Sequence, residues 1–320
     1  MFLKLFFIVN PAAKNGYSLR IWKKIEKRII NEAIEYEVYF TKHAGDGSRQ
    51  VRNILQNTKE KVLIIAVGGD GTIHEIINGV YPNKNAIISY IPAGSGNDFA
   101  RGYRIPRNPK KALEHNLRLL AKNKTITEFY KVDCGLFQVE DSTQGCFINN
   151  LGVGFDAAVA KVVNESKVKR LFNKFGLGKL IYILILIKEL FNYQTSRIKL
   201  HIDGEEKIFE NVWLVTISNQ PYFGGGLKIA PDAIVNDGRL DVIIVNNISR
   251  WKILFLFITV LWGGHKKIKG VNFAKGRKIN IESEKQIPIH ADGEYKGVDK
   301  VSVHVAEKAI AILNDLKTYE

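Results

Sequence analysis

The chain has 320 residues, 46% of them hydrophobic and 25% charged, the balance of an ordinary globular protein with room for two domains. Its 47 Lys and Arg against 32 Asp and Glu leave a net charge of +15, which favours anionic partners: nucleic acid, nucleotide phosphates or an anionic lipid surface. Only two cysteines occur, Cys134 and Cys146, without metal-ligand spacing, which argues against a disulfide framework and fits a reducing cytosol.

The apolar start, Met1–Asn10, lacks a basic leader and a small-residue cleavage site, so a first strand is expected there rather than a signal peptide. The pattern predicts strands at Leu5–Val9, Tyr36–Phe40, Val62–Val67 and Ala86–Ile91. Between and after them it predicts helices at Tyr17–Asn31, Gly47–Gln56, Thr72–Asn78, Asp98–Gly102 and Pro109–Lys122. Such alternation with short connections implies a mainly parallel sheet covered on both faces, with ligands outside the carboxyl ends of its strands.

After about residue 125 the texture becomes β-rich and antiparallel. Strands are predicted at Ile126–Gln138, Gly145–Asn150, Ser196–Ile202, Lys207–Ser218, Arg239–Val245, Gly270–Glu282, Gln286–Ala291 and Val298–Val305. Turns at Asp203-Gly204 and Asp292-Gly293 punctuate them, and helical insertions are expected at Phe155–Asn192 and Ser249–Gly263. The apolar runs Leu180–Leu186 and Ile253–Trp262 are too short to span a bilayer, which needs about 20 residues.

The chemistry concentrates in Val67-Gly-Gly-Asp-Gly-Thr72, which follows a buried strand and opens a helix. Three glycines around Asp70 let backbone amides approach a phosphate without Cβ collisions. An aspartate there can hold a metal or orient a transferred phosphoryl group, or simply cap the helix near Thr72. Two further strand ends carry small or polar turns: Asn10-Pro-Ala-Ala-Lys14 and Pro92-Ala-Gly-Ser-Gly-Asn-Asp98. There is no Walker A pattern, and Gly152-Val-Gly-Phe-Asp156 lacks the third glycine of a dinucleotide fingerprint. The seven histidines form no metal-like cluster. His74 lies within the loop and helix, and His290 reads as a strand residue.

Asn10-Pro11, Gly68-Gly-Asp-Gly-Thr72 and Pro92–Asp98 together resemble the diacylglycerol kinase catalytic domain family, nearest its soluble bacterial lipid kinases and akin to sphingosine and ceramide kinases. Asn149–Ala157, Ala230–Ala233, Asn236–Asp241 and Ala291-Asp-Gly-Glu294 continue the likeness in family order over almost the whole chain. The resemblance implies an α/β fold of two domains, similar to NAD kinase: a three-layer nucleotide domain over 1–125, a β-sandwich lipid domain over 126–305, and the active site between them. It also implies that 306–320 return to the first domain, for which the apolar Ala309–Leu313 is suited.

It further implies an ATP-dependent, Mg²⁺-requiring phosphotransferase acting on the hydroxyl of a diacylglycerol-like lipid to give a phosphatidic-acid-like product in phospholipid metabolism. Nucleotide contacts map to Asn10, Pro11, Ala12, Ala13, Lys14, Thr41, Gly69, Asp70, Gly71, Thr72, Ile73, His74, Glu75 and Ser95. Asp70 would order the metal–phosphate network. Asp98 is either a second acidic member or another helix cap. Mg²⁺ would meet the Asp237 carboxylate and the carbonyls of Ile234 and Arg239, with Asp241 as an acidic neighbour. The same loop could be a plain Asp-Gly turn. Glu294 would be the base that takes the lipid hydroxyl proton; apart from the resemblance it is a hairpin residue.

Lys167–Lys179 interleaves cations with leucine and phenylalanine, and Trp251–Trp262 precedes His265-Lys-Lys-Ile-Lys269. Either stretch suits an anionic bilayer or helices packed on the sandwich. The expected setting is cytoplasmic and peripheral at the inner membrane surface, without nucleic acid, since no aromatic–basic motif appears. Oligomeric state stays open, a homodimer included. The rival readings are an NAD kinase, which shares the Gly-Gly-Asp-Gly loop, and a non-catalytic lipid- or nucleotide-binding regulator.

Overall fold

The computed structural model describes residues 4–122, 129–140, 143–165 and 178–314. The chain divides into two compact units, Met1–Cys134 with Glu307–Glu320, and Gly135–Ala306.

In the first unit β1 (Lys4–Val9), α1 (Ala13–Asn31), β2 (Glu37–Phe40), α2 (Asp46–Asn57), β3 (Val62–Gly68), α3 (Asp70–Val80) and β4 (Ala86–Pro92) alternate, followed by α4 (Asp98–Gly102) and α5 (Pro109–Lys122). The strands are parallel in the order β2–β1–β3–β4. Every residue of β3 and β4 is buried, as expected of central strands with helices on both faces, and this explains their unbroken apolar runs. Helix α1 buries Trp22, Ile25 and Ile29, and the Trp22 ring lies tilted 4.9 Å from that of Phe7 of β1. The sheet grows in one direction from β1 to β2 and in the other from β3 to β4. The reversal lies between β1 and β3, where such sheets open a crevice at their carboxyl ends.

The second unit is a β-sandwich. It holds β5 (Tyr130–Val139, entered from the first unit), β6 (Thr143–Phe147), β7 (Asn150–Gly154), α6 (Phe155–Glu165), α7 (Gly178–Asn192), β8 (Ser196–Ile202) and β9 (Glu205–Ser218). It continues with β10 (Leu240–Asn246), α8 (Arg250–Val260), a 3-10 turn at Gly264–Lys267, β11 (Val271–Gly276), β12 (Lys278–Ser283), β13 (Pro288–Ala291), β14 (Glu294–Val298) and β15 (Val301–Ile312). Its strands pair antiparallel, for example β9 with β7, β8 and β10. The last seven residues of β9 and all of β10 are buried. Val215, Ile217, Val242 and Ile244 enter the sandwich core; Trp213, Ile243 and Val245 meet Phe155, Ile253 and Leu256 from the helices. Strand β15 ends in the first unit, where Ala311 and Ile312 pair parallel with Ile87 and Ile88 of β4.

Three expectations need correction. The single strand expected at Gly145–Asn150 is two, β6 and β7, parted where the amides of Ile148, Asn149 and Asn150 turn onto the Asp292 carboxylate. The strand expected at Gly270–Glu282 breaks at Arg277, whose amide donates to the Asp203 carboxylate at 2.9 Å. The strand expected at Val298–Val305 is the end of β14 and the start of β15. The basic run Lys167–Lys179 falls almost wholly outside the described residues. Among the described residues no helix is long and apolar enough to cross a membrane.

Candidate active site

In the first unit the sequence-predicted nucleotide residues gather at the carboxyl ends of the parallel strands. Asn10 follows β1; its amide donates to the Val67 carbonyl at 3.0 Å, and its side-chain amide donates to the Thr72 hydroxyl at 3.2 Å. Its Oδ1 accepts the Ala12 amide, which folds Pro11–Ala13 into a tight turn. Lys14, Asn15 and Gly16 then take φ of 48°, 52° and 79°, a left-handed turn from which regular α1 starts at Tyr17. Lys14 lays its ammonium 4.6 Å from the Tyr17 ring. The Thr41 amide donates to Val9, placing the end of β2 alongside.

The loops after β3 and β4 interlock. Gly69 and Gly94 meet backbone to backbone: a Cβ on Gly69 would sit 3.2 Å from the Gly94 Cα, and one on Gly94 would overlap the Gly69 Cα. The Ala93 amide donates to the Gly68 carbonyl at 2.7 Å. The buried Tyr90 hydroxyl lies 2.9 Å from both that carbonyl and Asn97 Oδ1, and Asn97 Oδ1 also accepts the Gly94 amide. Asn97 itself has φ of 56°.

Asp70 closes the lock. Its two oxygens accept the amides of Asn97 at 2.6 Å and Phe99 at 3.1 Å, so the carboxylate caps α4 rather than its own helix. Burial, and then the nearby charge of Asp98, push its carboxyl up from 3.8 to about 6 against those amide bonds. Asp98 is buried and pairs with Arg101 at 2.9 Å. Ser95 is exposed at the loop tip. Of the remaining residues, Ile73 and His74 are buried. The Glu75 carboxylate accepts the amides of Gly45 and Gly47, each at 2.8 Å, and so anchors the start of α2. The sequence reading missed these supporting bonds, and no local signal announces them.

In the second unit Glu294 opens β14 after a turn in which Asp292 and Gly293 both have positive φ, 49° and 85°. Asp292 is more than a turn residue: its carboxylate accepts the amides of Ile148, Asn149 and Asn150 at 3.1, 2.8 and 3.1 Å. The Glu294 carboxylate meets the Lys296 ammonium at 3.0 Å. Beneath the turn, the Gly293 amide donates to His290 Nδ1 at 3.2 Å. His290 Nε2 lies 3.4 Å from the Asp156 carboxylate, which also accepts the Thr216 hydroxyl at 3.3 Å. This buried chain behind Glu294 was not foreseen. Its one sequence trace is Gly152, where any Cβ would overlap both Asp156 and His290.

The turn holding Ile234, Asp237 and Arg239 lies before β10. Asp237 Oδ1 accepts the Arg239 amide at 3.0 Å, and Oδ2 is 3.6 Å from the Lys275 ammonium. Lys275 also reaches Asp241 at 3.3 Å, whose carboxyl burial pushes up to about 6. One carboxylate and two carbonyls are oxygen donors of the kind a hard cation takes, and Mg²⁺ keeps several waters in any case. These donor types suit a hard cation, with Lys275 as the competing cation at the Asp237 carboxylate. Among the described residues no cluster of three His, Cys, Asp or Glu could hold a metal.

Comparison with known proteins finds relatives of both units. The sequence profile of the diacylglycerol kinase catalytic domain matches residues 4–128. That of the YegS C-terminal NAD kinase beta sandwich-like domain matches residues 149–314. YtlR of Bacillus subtilis, provisionally named a lipid kinase, is 33% identical over 294 residues, covering 91% of this chain and 93% of that protein. The diacylglycerol kinase of Bacillus subtilis is 29% identical over 296 residues, covering 91% and 89%. A crystal structure from Bacillus anthracis, provisionally described as a diacylglycerol kinase, superposes with a TM-score of 0.76 at 25% identity, covering 98% of each chain.

Proposed function

The chain belongs to the diacylglycerol kinase catalytic domain family, and from that premise we propose that it transfers the γ-phosphoryl group of ATP to the hydroxyl of a diacylglycerol-like lipid. The observation that carries the reading is the interlocked pair of glycine loops at the carboxyl ends of β3 and β4, tied by Asp70. Amides in the first turn of α3, with the glycine loops, suit the phosphates, because the leading N–H groups of a helix lack intrahelical acceptors. Asn10 and Lys14 line the neighbouring turn.

The hydroxyl oxygen attacks the γ-phosphorus, a new P–O bond forms, and the bond to the ADP oxygen breaks. The lipid proton passes to the Glu294 carboxylate, which Lys296 and the Asp292–Gly293 turn hold in place. The products are ADP and a phosphatidic-acid-like lipid. Mg²⁺ would supply neutralisation of phosphate charge, and the oxygens of Asp237, Ile234 and Arg239 are the residues that would hold it.

The test incubates the purified protein with labelled ATP and either a total lipid extract or NAD. Label recovered in an organic-phase lipid phosphate supports the reading. Label on NAD, or no transfer to any lipid, overturns it in favour of a nucleotide kinase or a non-catalytic binder.

A further inference from the structure

Helices α7 and α8 carry an apolar surface that this reaction does not use. Helix α8 buries Ile253, Leu256 and Val260 against the core that contains Trp213 and Ile243. On its other side Trp251, Phe255, Ile258 and Trp262 form one stripe at intervals of four, three and four residues. They are 71%, 63%, 52% and 62% exposed. On α7 a second exposed stripe runs through Leu184, Ile187 and Phe191. The Phe191 and Trp251 rings meet edge-on at 5.4 Å and join the two stripes. So α8 is apolar around its circumference while only half of it is packed, which marks an interaction face rather than scattered surface residues.

The rim of this face is cationic. From Arg250 to Lys269 the chain carries Arg250, Lys252, Lys266, Lys267 and Lys269 and no acidic residue. All five are exposed; Lys266 pairs with Asp232. Arg250 and Lys252 stand at one end of α8 and the lysines follow the other. A two-fold contact with a second copy would set cations against cations in either direction of packing. An anionic surface complements both ends. Tryptophans flank the stripe at both ends, the residue type that favours the boundary between acyl chains and headgroups. Eleven residues span about 16 Å, too short to cross a bilayer and suited to lying in its plane.

We propose that the exposed face of α7 and α8 docks the protein on an anionic lipid bilayer, with Trp251, Phe255, Ile258 and Trp262 inserted at the headgroup boundary and the flanking lysines on the lipid phosphates. The inference rests on the lipid-kinase reading, which gives the protein a substrate dissolved in a bilayer.

The test uses the full chain with phosphatidylcholine vesicles, with and without phosphatidylglycerol. Binding should require the anionic lipid and weaken with salt. F255S/W262S should lower it about tenfold or more through the apolar stripe. K267E/K269E should lower it to a similar degree without touching that stripe. Brominated lipid should quench tryptophan emission in the parent and not in W251F/W262F, because Trp22 and Trp213 are buried. Turnover of a short-chain diacylglycerol dispersed as monomers should be unchanged in F255S/W262S and lost only on the bilayer substrate. Vesicle binding that ignores both double variants, or absent quenching, overturns the docking face while short-chain turnover still tests the kinase reading separately. A dimer that F255S/W262S dissociates, with vesicle binding unmoved, overturns it in favour of a second copy.

Discussion

Asp70 sits where its charge is expensive, since burial raises its carboxyl to about 6, yet both oxygens are committed to the amides of Asn97 and Phe99. An acid shifted upward binds protons more tightly folded than unfolded. Its contribution therefore favours the folded state as pH falls from about 6 toward 4, and that contribution is lost as pH rises past 6. Two units correspond to at most about 3 kcal/mol. Asp70→Asn should lose phosphoryl transfer by about 10²-fold or more while still folding, and its melting temperature should vary less with pH between 4 and 7 than the parent's. Thermal melts across that range, beside turnover, check both halves. In the second unit two acidic residues two positions apart differ in employment: Asp292 holds three amides of a distant turn, and Glu294 meets the Lys296 ammonium. Glu294→Gln keeps the volume but cannot take a proton. Turnover should fall about 10²–10⁴-fold with nucleotide affinity little changed, which single-turnover and equilibrium binding measurements separate. The sequence pattern marked Asp292 only as a turn residue, because its partners lie more than 140 positions away.

At the scale of elements, the contact between the β3 and β4 loops depends on two absent side chains. Gly94→Ala would push a methyl group into the Gly69 Cα. We expect a loss of about 1–3 kcal/mol by denaturant titration and a matching fall in ATP affinity, since both loops must shift. The Asp237 turn offers oxygen donors beside a lysine. Asp237→Ala should weaken Mg²⁺ affinity and leave nucleotide binding in place; calorimetry with the metal alone reads this, and unchanged affinity makes the loop a plain turn. The strands of the first unit were legible because double burial writes itself as continuous Val, Leu and Ile. The breaks at Ile148 and Arg277 were not. The β pattern runs on through both places, and what interrupts the ladder is a carboxylate, Asp292 or Asp203, from elsewhere in the chain.

For the whole molecule, the glycine loops and Asp-Gly turns could be read as local words, whereas the bonds from Asp70, Glu75 and Asp292 could not, because each joins distant segments. The same holds for β15, whose tail buries Ile310, Ile312 and Leu313 in the first unit. The Asp133 carboxylate accepts the Lys308 amide at 2.7 Å, and the Leu313 amide donates to Ile88 at 2.8 Å. A chain ending at Ala306 leaves the β4 edge open, so it should aggregate on release or fail to bind ATP. Size-exclusion chromatography and nucleotide binding on the shortened chain check this.

That tail also sets an order in time. A ribosome finishes β4 at Pro92 and then makes roughly 220 further residues before Ala311 and Ile312 of β15 complete the sheet. At about 5–20 residues per second the wait is on the order of 10–45 s. During biosynthesis the first unit is therefore held with an open edge while the sandwich is still being made, a window in which a chaperone that shields unpaired strands would raise yield.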